Sequence, residues 1–336
     1  MNKPILWMMM GLPASGKSTI AKILADSTPD TVIHSSDKLR EELLGDVSDQ
    51  SANARIFEEL HRRIKLDLSD GLNVVYDATN LSKRRRAAFL AELKHIPCEK
   101  CLVCVLVPYE KCLERNEQRF DRQVPEYVIE RMYKNFEPPD YAEGFDLIAL
   151  NYNFDIRDSF RKYDISKLFK KDSWFMTFDQ ENKHHTLPLG AHCDAAASYI
   201  TGVIQDRADK DANIDELTRL GMVEDAAWLH DIGKPFTKSR LNGKGEDDGQ
   251  CHYYQHHCVG AYDCFFYLRN ATSHCDLDTP AVNNRHLYIS NLIYWHMMPY
   301  TAWKQSDKSR ERDRKLMSEE MYNDVLLLHK ADIAAH

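Results

Sequence analysis

The chain has 336 residues, 43% of them hydrophobic, and a formal net charge of -8. That length is enough for two cores and exceeds the usual compact domain. The acidic balance excludes a general attraction to nucleic acid, so any polynucleotide has to be held by a local basic patch. Nine cysteines are scattered without a secretory leader, and the apolar run from Ile5 to Met10 is too short for a signal peptide or membrane span; a cytosolic protein with reduced thiols and no membrane partner is expected.

As far as Tyr152, short apolar strands alternate with helical patterns, which predicts a parallel sheet covered on both faces. Strands are expected over 5–10, 31–34, 73–77 and 101–107, with a weaker one over 147–150. Helices fit 17–25, 52–68, 82–94, 109–117 and 125–136, the last opened by Pro125 at a first-turn position. Cys98, Cys101 and Cys104 lie in or beside the fourth strand and lack a fourth ligand at knuckle spacing, so they read as buried thiols rather than a zinc site. Residues 154–185 mix Lys, Arg, Asp and aromatics with neither period and are expected to be a linker. From 186 to 336 the spacing is helical almost throughout. The expected organisation is an α/β domain over 1–153 and an all-α domain over 186–336.

The first strand runs into Gly11-Leu12-Pro13-Ala14-Ser15-Gly16-Lys17-Ser18, the spacing of a phosphate-binding loop. Gly11 and Gly16 let backbone N–H groups turn inward, Lys17 reaches the β and γ phosphates, and Ser18 meets a Mg²⁺. Ser15 and Thr19 complete this nucleotide-binding set for ATP at a helix N-terminus. In a parallel sheet ligands gather at the carboxyl ends of strands. There, Asp37 can take a proton from an attacking hydroxyl and Arg40 can neutralise a phosphate, although Ser36 or Asp37 can equally cap the next helix. Asp77 follows the third strand, ahead of the basic run Lys83-Arg84-Arg85-Arg86, which is either a phosphate-backbone contact or a solvated helix face. Arg115 and Arg119 precede a stretch ending at Val124-Pro125, where a lid would carry arginines onto a transferring phosphoryl group.

The loop, Asp37 with Arg40, and Arg115 with Arg119 ahead of Val124-Pro125 resemble the 5′-hydroxyl polynucleotide kinase family of phage end-repair enzymes, over about the first 150 residues. The resemblance implies Lys17 and Ser18 at the ATP phosphates, Asp37 as general base, Arg40 on the acceptor phosphate and Arg119 as the lid arginine. The family places an acid directly before a Thr-Asn pair, whereas here Ala78 precedes Thr79-Asn80 and Asp77 lies one place earlier. Side chains alternate along a strand, so the offset leaves the direction of the Asp77 carboxylate open.

Further on, His230-Asp231 closes an apolar helical stretch, with His192 upstream and His256-His257, His296 and Asp332 downstream. This ordered set resembles the HD superfamily of metal-dependent phosphohydrolases. It implies His192, His230, Asp231 and Asp332 around one ion, and His256, His296 and Asp231 around a second; His257 can substitute for His256. Such donors suit Mn, Fe, Ni, Co or Zn, and Lys234 can steady a phosphate oxygen. His184, His185, His252, His274, His286, His329 and His336 have no assigned role.

A kinase joined to a phosphohydrolase resembles bacterial enzymes that heal both ends of a broken nucleic acid, in which the HD domain comes first; here the order is reversed. The expected activity is phosphorylation of a 5′-OH and removal of a 3′-phosphate or 2′,3′-cyclic phosphate on RNA or DNA. No ligase lysine motif is apparent, so sealing would fall to a separate ligase. The alternatives are a small-molecule kinase fused to a nucleotide phosphohydrolase, and a nucleotide-switched regulatory protein.

Overall fold

A computed structural model describes residues 3–120, 122–155, 162–183, 186–272 and 279–336. His184, His185, His274 and the 156–161 part of the expected linker lie outside the described residues. The chain forms two compact units, Met1–Met132 with Pro139–Phe154 and Tyr133–Pro138 with Asp155–His336. Tyr133–Pro138 belongs to the second unit because of its aromatic residues. Tyr133 meets Phe236 and Tyr262 edge-on at 5.0 and 5.4 Å, and Phe136 meets Tyr262 at 4.9 Å.

The first unit is built on five strands, β1 (Ile5–Met10), β2 (Thr31–Ser35), β3 (Asn73–Asp77), β4 (Glu99–Leu106) and β5 (Leu147–Tyr152). They pair in parallel in the order β2-β3-β1-β4-β5. The central strands are buried on both faces, which is why they read as apolar runs rather than alternating ones: Leu6, Met8, Met9 and Met10 are all fully buried. Helix α1 (Lys17–Ser27) closes one face, where Ala21 packs with Met9, Val75, Val103 and Val105. The other helices are α2 (Ser36–Leu44), α3 (Asn53–Ser69), α4 (Lys83–Glu92), α5 (Tyr109–Glu117) and α6 (Glu126–Tyr133). With β1 lying between β3 and β4, the chain leaves its carboxyl end at the sheet's topological switch point.

Cys101 and Cys104 are buried in β4, three positions apart and therefore on opposite faces of the sheet. Burial pushes both thiols up to about 12.

The basic run on α4 proves to be half structural. Lys83 and Arg86 are both 1% exposed, while Arg84 and Arg85 face outward. Arg86 donates from Nε and Nη2 to the two carboxylate oxygens of Glu143, each at 2.8 Å, and from Nη1 to the Asn80 carbonyl at 2.9 Å. Lys83 Nζ lies 3.7 Å from the same carboxylate. A continuous phosphate-backbone strip of four basic side chains is thus excluded, because two of them neutralise a buried acid. Glu143 itself is fixed by a capping box with Asp140 around the 3₁₀ turn Tyr141–Glu143.

The second unit is largely helical. Leu189–Ala208 packs on Ile214–Leu229 and on Glu319–Ala334, and His256–Ala271 packs on Pro280–Trp295. Side chains start these helices: Asn213 accepts from the Glu216 N–H at 2.9 Å and Ser318 from that of Met321 at 3.1 Å. The expectation of an all-α domain needs correction, since Ser239–Leu241 (β6) and Asp247–His252 (β7) form an antiparallel hairpin. Asn242-Gly243-Lys244-Gly245 makes its turn, with Gly245 at φ 81° and Asn242 N–H donating to the Glu246 carbonyl at 2.8 Å. Among the described residues, no helix is long and apolar enough to cross a membrane.

Removing one partner from a buried ion cluster leaves the remaining charge unpaired. Glu143→Ala should therefore destabilise the first unit by about 3–5 kcal/mol, read as a lower denaturant midpoint; an unchanged midpoint would refute the structural role of the cluster.

Candidate active sites

The loop between β1 and α1 is shaped for phosphate. Gly16 adopts φ 91°, and a Cβ there would lie 2.3 Å from Asn153 Nδ2, so both the conformation and the space demand glycine. Asn153 Nδ2 donates to the Ser15 carbonyl at 2.8 Å, and Arg115 Nη2 donates to the Asn153 carbonyl at 2.8 Å. Arg115 therefore braces the loop from behind, a placement its sequence position did not disclose. Lys17 Nζ donates to the Leu12 carbonyl at 2.6 Å, and burial lowers its pKa.

The neighbouring strand ends supply the acids. Ser18 Oγ donates to Asp77 Oδ2 at 2.8 Å, so the one-residue offset does not turn this carboxylate away from the loop. The peptide after β3 is tied to the loop as well, by the Gly11 N–H donating to the Thr79 carbonyl at 3.1 Å. Asp37 lies in the first turn of α2 and is gripped by two guanidinium groups, Arg40 at 3.0 Å and Arg122 at 2.9 Å. Arg40 is also held by Asn53 Oδ1 at 2.8 Å, and burial lowers its pKa. Arg119, expected as the lid arginine, is exposed, and Arg122 three residues on reaches Asp37. The signal was available in that the basic stretch continues past Arg119.

In the second unit His192, His230, Asp231, His256, His296 and Asp332 converge, each no more than 5% exposed. Asp231 stands at the centre. Its Oδ2 lies 3.3 Å from His230 Nε2 and 3.6 Å from His192 Nε2, and its Oδ1 lies 3.2 Å from His256 Nε2 and 3.8 Å from His296 Nε2. Asp332 Oδ1 is 3.0 Å from His192 Nε2. His256, not His257, faces the cluster. His257 packs beside Tyr294, and burial followed by the charge of His256 pushes its pKa down to about 3. Gly233 permits this convergence, because a Cβ there would come 2.1 Å from the His256 carbonyl oxygen. Lys234 Nζ is engaged by Asp231 Oδ2 at 2.6 Å and Gln180 Oε1 at 2.7 Å, so it stands on the central carboxylate itself.

Residues 6–139 match the family model of the AAA domain. The phosphate-binding loop lies within that match. Protein kti12 of Schizosaccharomyces pombe is 24% identical over 153 residues, 42% of this chain, and the chain spans about half of that relative, 54% of its length. A chain in a structure of a Pnkp1/Rnl/Hen1 RNA repair complex is 25% identical with a TM-score of 0.35, over 39% of this chain and 43% of its own. A gluconokinase from Sinorhizobium meliloti is 16% identical with a TM-score of 0.32, over 45% of this chain and 84% of its own. Overlaps this partial set no reaction for either unit.

The first unit thus has a loop lysine, a loop hydroxyl on a strand-end carboxylate, and a second acid between arginines. The helical unit has a donor set suited to cations. Two groups, His192-His230-Asp231 and Asp231-His256-His296, each place their ligand atoms within 4.8 Å of one another. The second ring nitrogens say more. Nδ1 faces a backbone carbonyl in His230 (Ala227, 2.8 Å), His256 (Tyr253, 2.7 Å) and His296 (Ile293, 2.6 Å), which assigns the ring proton to Nδ1 and the lone pair to Nε2. His256 Nε2 then meets His296 Nε2 at 3.2 Å with the two lone pairs face to face, while His192 Nε2 lies 3.2 Å from His230 Nε2 and 3.0 Å from Asp332 Oδ1. Facing lone pairs repel unless a proton or metal ion lies between them. Burial opposes a charge on His230, yet Asp231 and Cys193 together outweigh it and raise its pKa well above the usual range, so the cluster attracts positive charge. Burial also works against ionised Asp231, but Lys234 and His230 hold its pKa well below normal.

This arrangement predicts a stoichiometry. Wild-type protein should take up two Mn²⁺ per chain in metal analysis after gel filtration, His256→Ala one, and Asp231→Ala none; equal uptake by all three would remove Asp231 as the shared ligand.

Proposed function

We propose that the chain heals both ends of a broken nucleic acid, phosphorylating a 5′-OH with ATP in its first unit and removing a 3′-phosphate or 2′,3′-cyclic phosphate in its second. The observation that carries this reading is the presence, on one chain, of a phosphate loop joined through Ser18 to Asp77 and of a buried Asp231 shared by two imidazole pairs. Both are phosphate-handling arrangements of opposite direction, one adding and one removing.

In the first unit, the loop N–H groups and Lys17 bind the triphosphate, and Ser18 with Asp77 would hold its Mg²⁺. Asp37 accepts the proton of the 5′-OH as that oxygen bonds to the γ-phosphorus and the bond to the bridging β,γ-oxygen breaks. Arg40 and Arg122 fix the Asp37 carboxylate for this transfer, and either can meet the phosphate of the acceptor strand. Arg119, exposed beyond α5, closes on the transferring group in this reading.

In the second unit, His192, His230, Asp231 and Asp332 would hold one divalent transition-metal ion, and Asp231, His256 and His296 the other. Such a pair supplies an activated water and a clamp on the phosphoester oxygens. The protein keeps the rings oriented through their carbonyl partners. Lys234 balances the negative charge of Asp231.

One observation favours a second reading. With Lys83 and Arg86 spent on Glu143, α4 offers only Arg84 and Arg85 to a strand, which suits a kinase for a small acceptor. A 5′-OH oligonucleotide with γ-labelled ATP separates the two. Transfer of label supports end healing, and intact ATP binding without transfer overturns it.

The two centres should be separable. Lys17→Ala should lower kinase turnover by at least about a hundredfold and leave 3′-phosphate release intact, while Asp231→Ala should do the reverse, each followed by its own product assay. Loss of both activities from either change would defeat the two-centre reading.

A further inference from the structure

A cavity of about 680 Å³ opens over the histidine cluster of the second unit. A phosphate group needs far less room, whereas this volume falls within the range of pockets that enclose whole small molecules. Its floor is Asp231, His256, His296 and Asp332, and its wall includes His252, Tyr253, Tyr254 and Tyr300. Lys234 is the one Lys or Arg among its described lining residues, and its ammonium is already engaged by Asp231 and Gln180. A polyphosphate would require several cationic partners. The wall instead offers aromatic faces.

Two of those faces are prearranged. The rings of His252 and Tyr254 lie parallel within 4°, their centroids 5.5 Å apart. His252 closes β7, and its Nε2 is held 2.9 Å from Asp248 Oδ1, which fixes the ring. Tyr254 is 51% exposed, and its hydroxyl passes Gly243 of the hairpin turn at ordinary contact distance from a Cβ placed there. Gln255 then turns through φ 64°, delivering His256 to the cluster two residues after Tyr254. The chain therefore passes from a stacking platform to a candidate metal ligand within a single turn.

We propose that His252 and Tyr254 form a base-stacking platform, and that this pocket takes one nucleoside whose monophosphate ester reaches the histidine cluster. The inference rests on the phosphohydrolase reading and narrows it, assigning specificity to the hairpin and excluding nucleoside polyphosphates as substrates. A planar base extends the His252–Tyr254 stack, while its ribose phosphate points down to Asp231 and the imidazoles. The free nucleotide and the 3′ terminus of a strand share this chemistry.

Binding and hydrolysis test it separately. In calorimetry on the full chain after chelation of divalent ions, adenosine 3′-monophosphate should bind more tightly than ribose 3-phosphate. Tyr254→Ala should weaken the nucleotide by about tenfold and leave ribose phosphate unchanged, with Tyr254→Phe restoring the difference. A 3′-phosphorylated oligonucleotide titrated in parallel tells a strand end from a free nucleotide by which is bound more tightly. Equal affinity for nucleotide and ribose phosphate, or a Tyr254→Ala effect on both alike, would overturn the platform. So would adenosine triphosphate binding at this pocket as tightly as the monophosphate, read as a Tyr254-dependent affinity in a Lys17→Ala background. Failure of the phosphohydrolase reading looks different: Mn²⁺-loaded protein would then release no phosphate even from p-nitrophenyl phosphate, whatever the binding data say.

Discussion

An ionised group removed from water has to be neutralised where it stands, and both units are arranged around that requirement. In the first, Glu143 faces Arg86 and Lys83 within the fold, and Lys17 rests on a backbone carbonyl. In the second, Asp231 is 2% exposed and is compensated by Lys234 and His230. The two kinds of buried charge differ in their consequence. The Glu143 cluster is closed, with both carboxylate oxygens engaged by one guanidinium. The Asp231 cluster is open, because ring nitrogens whose protons are committed elsewhere confront one another and invite a cation.

That distinction separates scaffold from chemistry more sharply than residue type does. Lys83 and Lys17 are both buried lysines at helix starts in the same unit, yet one meets a carboxylate and the other a phosphate loop. Arginines divide the same way. Arg86 and Arg115 hold the backbone of the site from behind, through the Asn80 and Asn153 carbonyls, while Arg40 and Arg122 converge on the carboxylate of Asp37. The rigid sheet locates the acids, and the loops around it decide which charges remain available for a ligand.

The strands of the first unit were legible almost residue for residue, since a parallel sheet buried on both faces leaves continuous apolar runs such as Ile5–Met10. The β6–β7 hairpin was not, because its strands are polar and short and lie among helices; only its Asn-Gly-Lys-Gly turn carried a signal. Membership of Tyr133–Pro138 in the second unit was equally invisible, being a matter of which aromatic rings Tyr133 and Phe136 meet.

By itself, the sequence determined the phosphate loop and the ordered His and Asp positions, because backbone freedom at glycine and the chemistry of donor atoms are properties of residue type and spacing. Tertiary structure alone decided between His256 and His257, turned Asp77 toward Ser18, and withdrew Lys83 and Arg86 into the fold. Each of those outcomes depends on which of two neighbouring side chains faces inward. A single helical step of about 100° or one strand position settles that, and neither is encoded in the identity of the residue concerned.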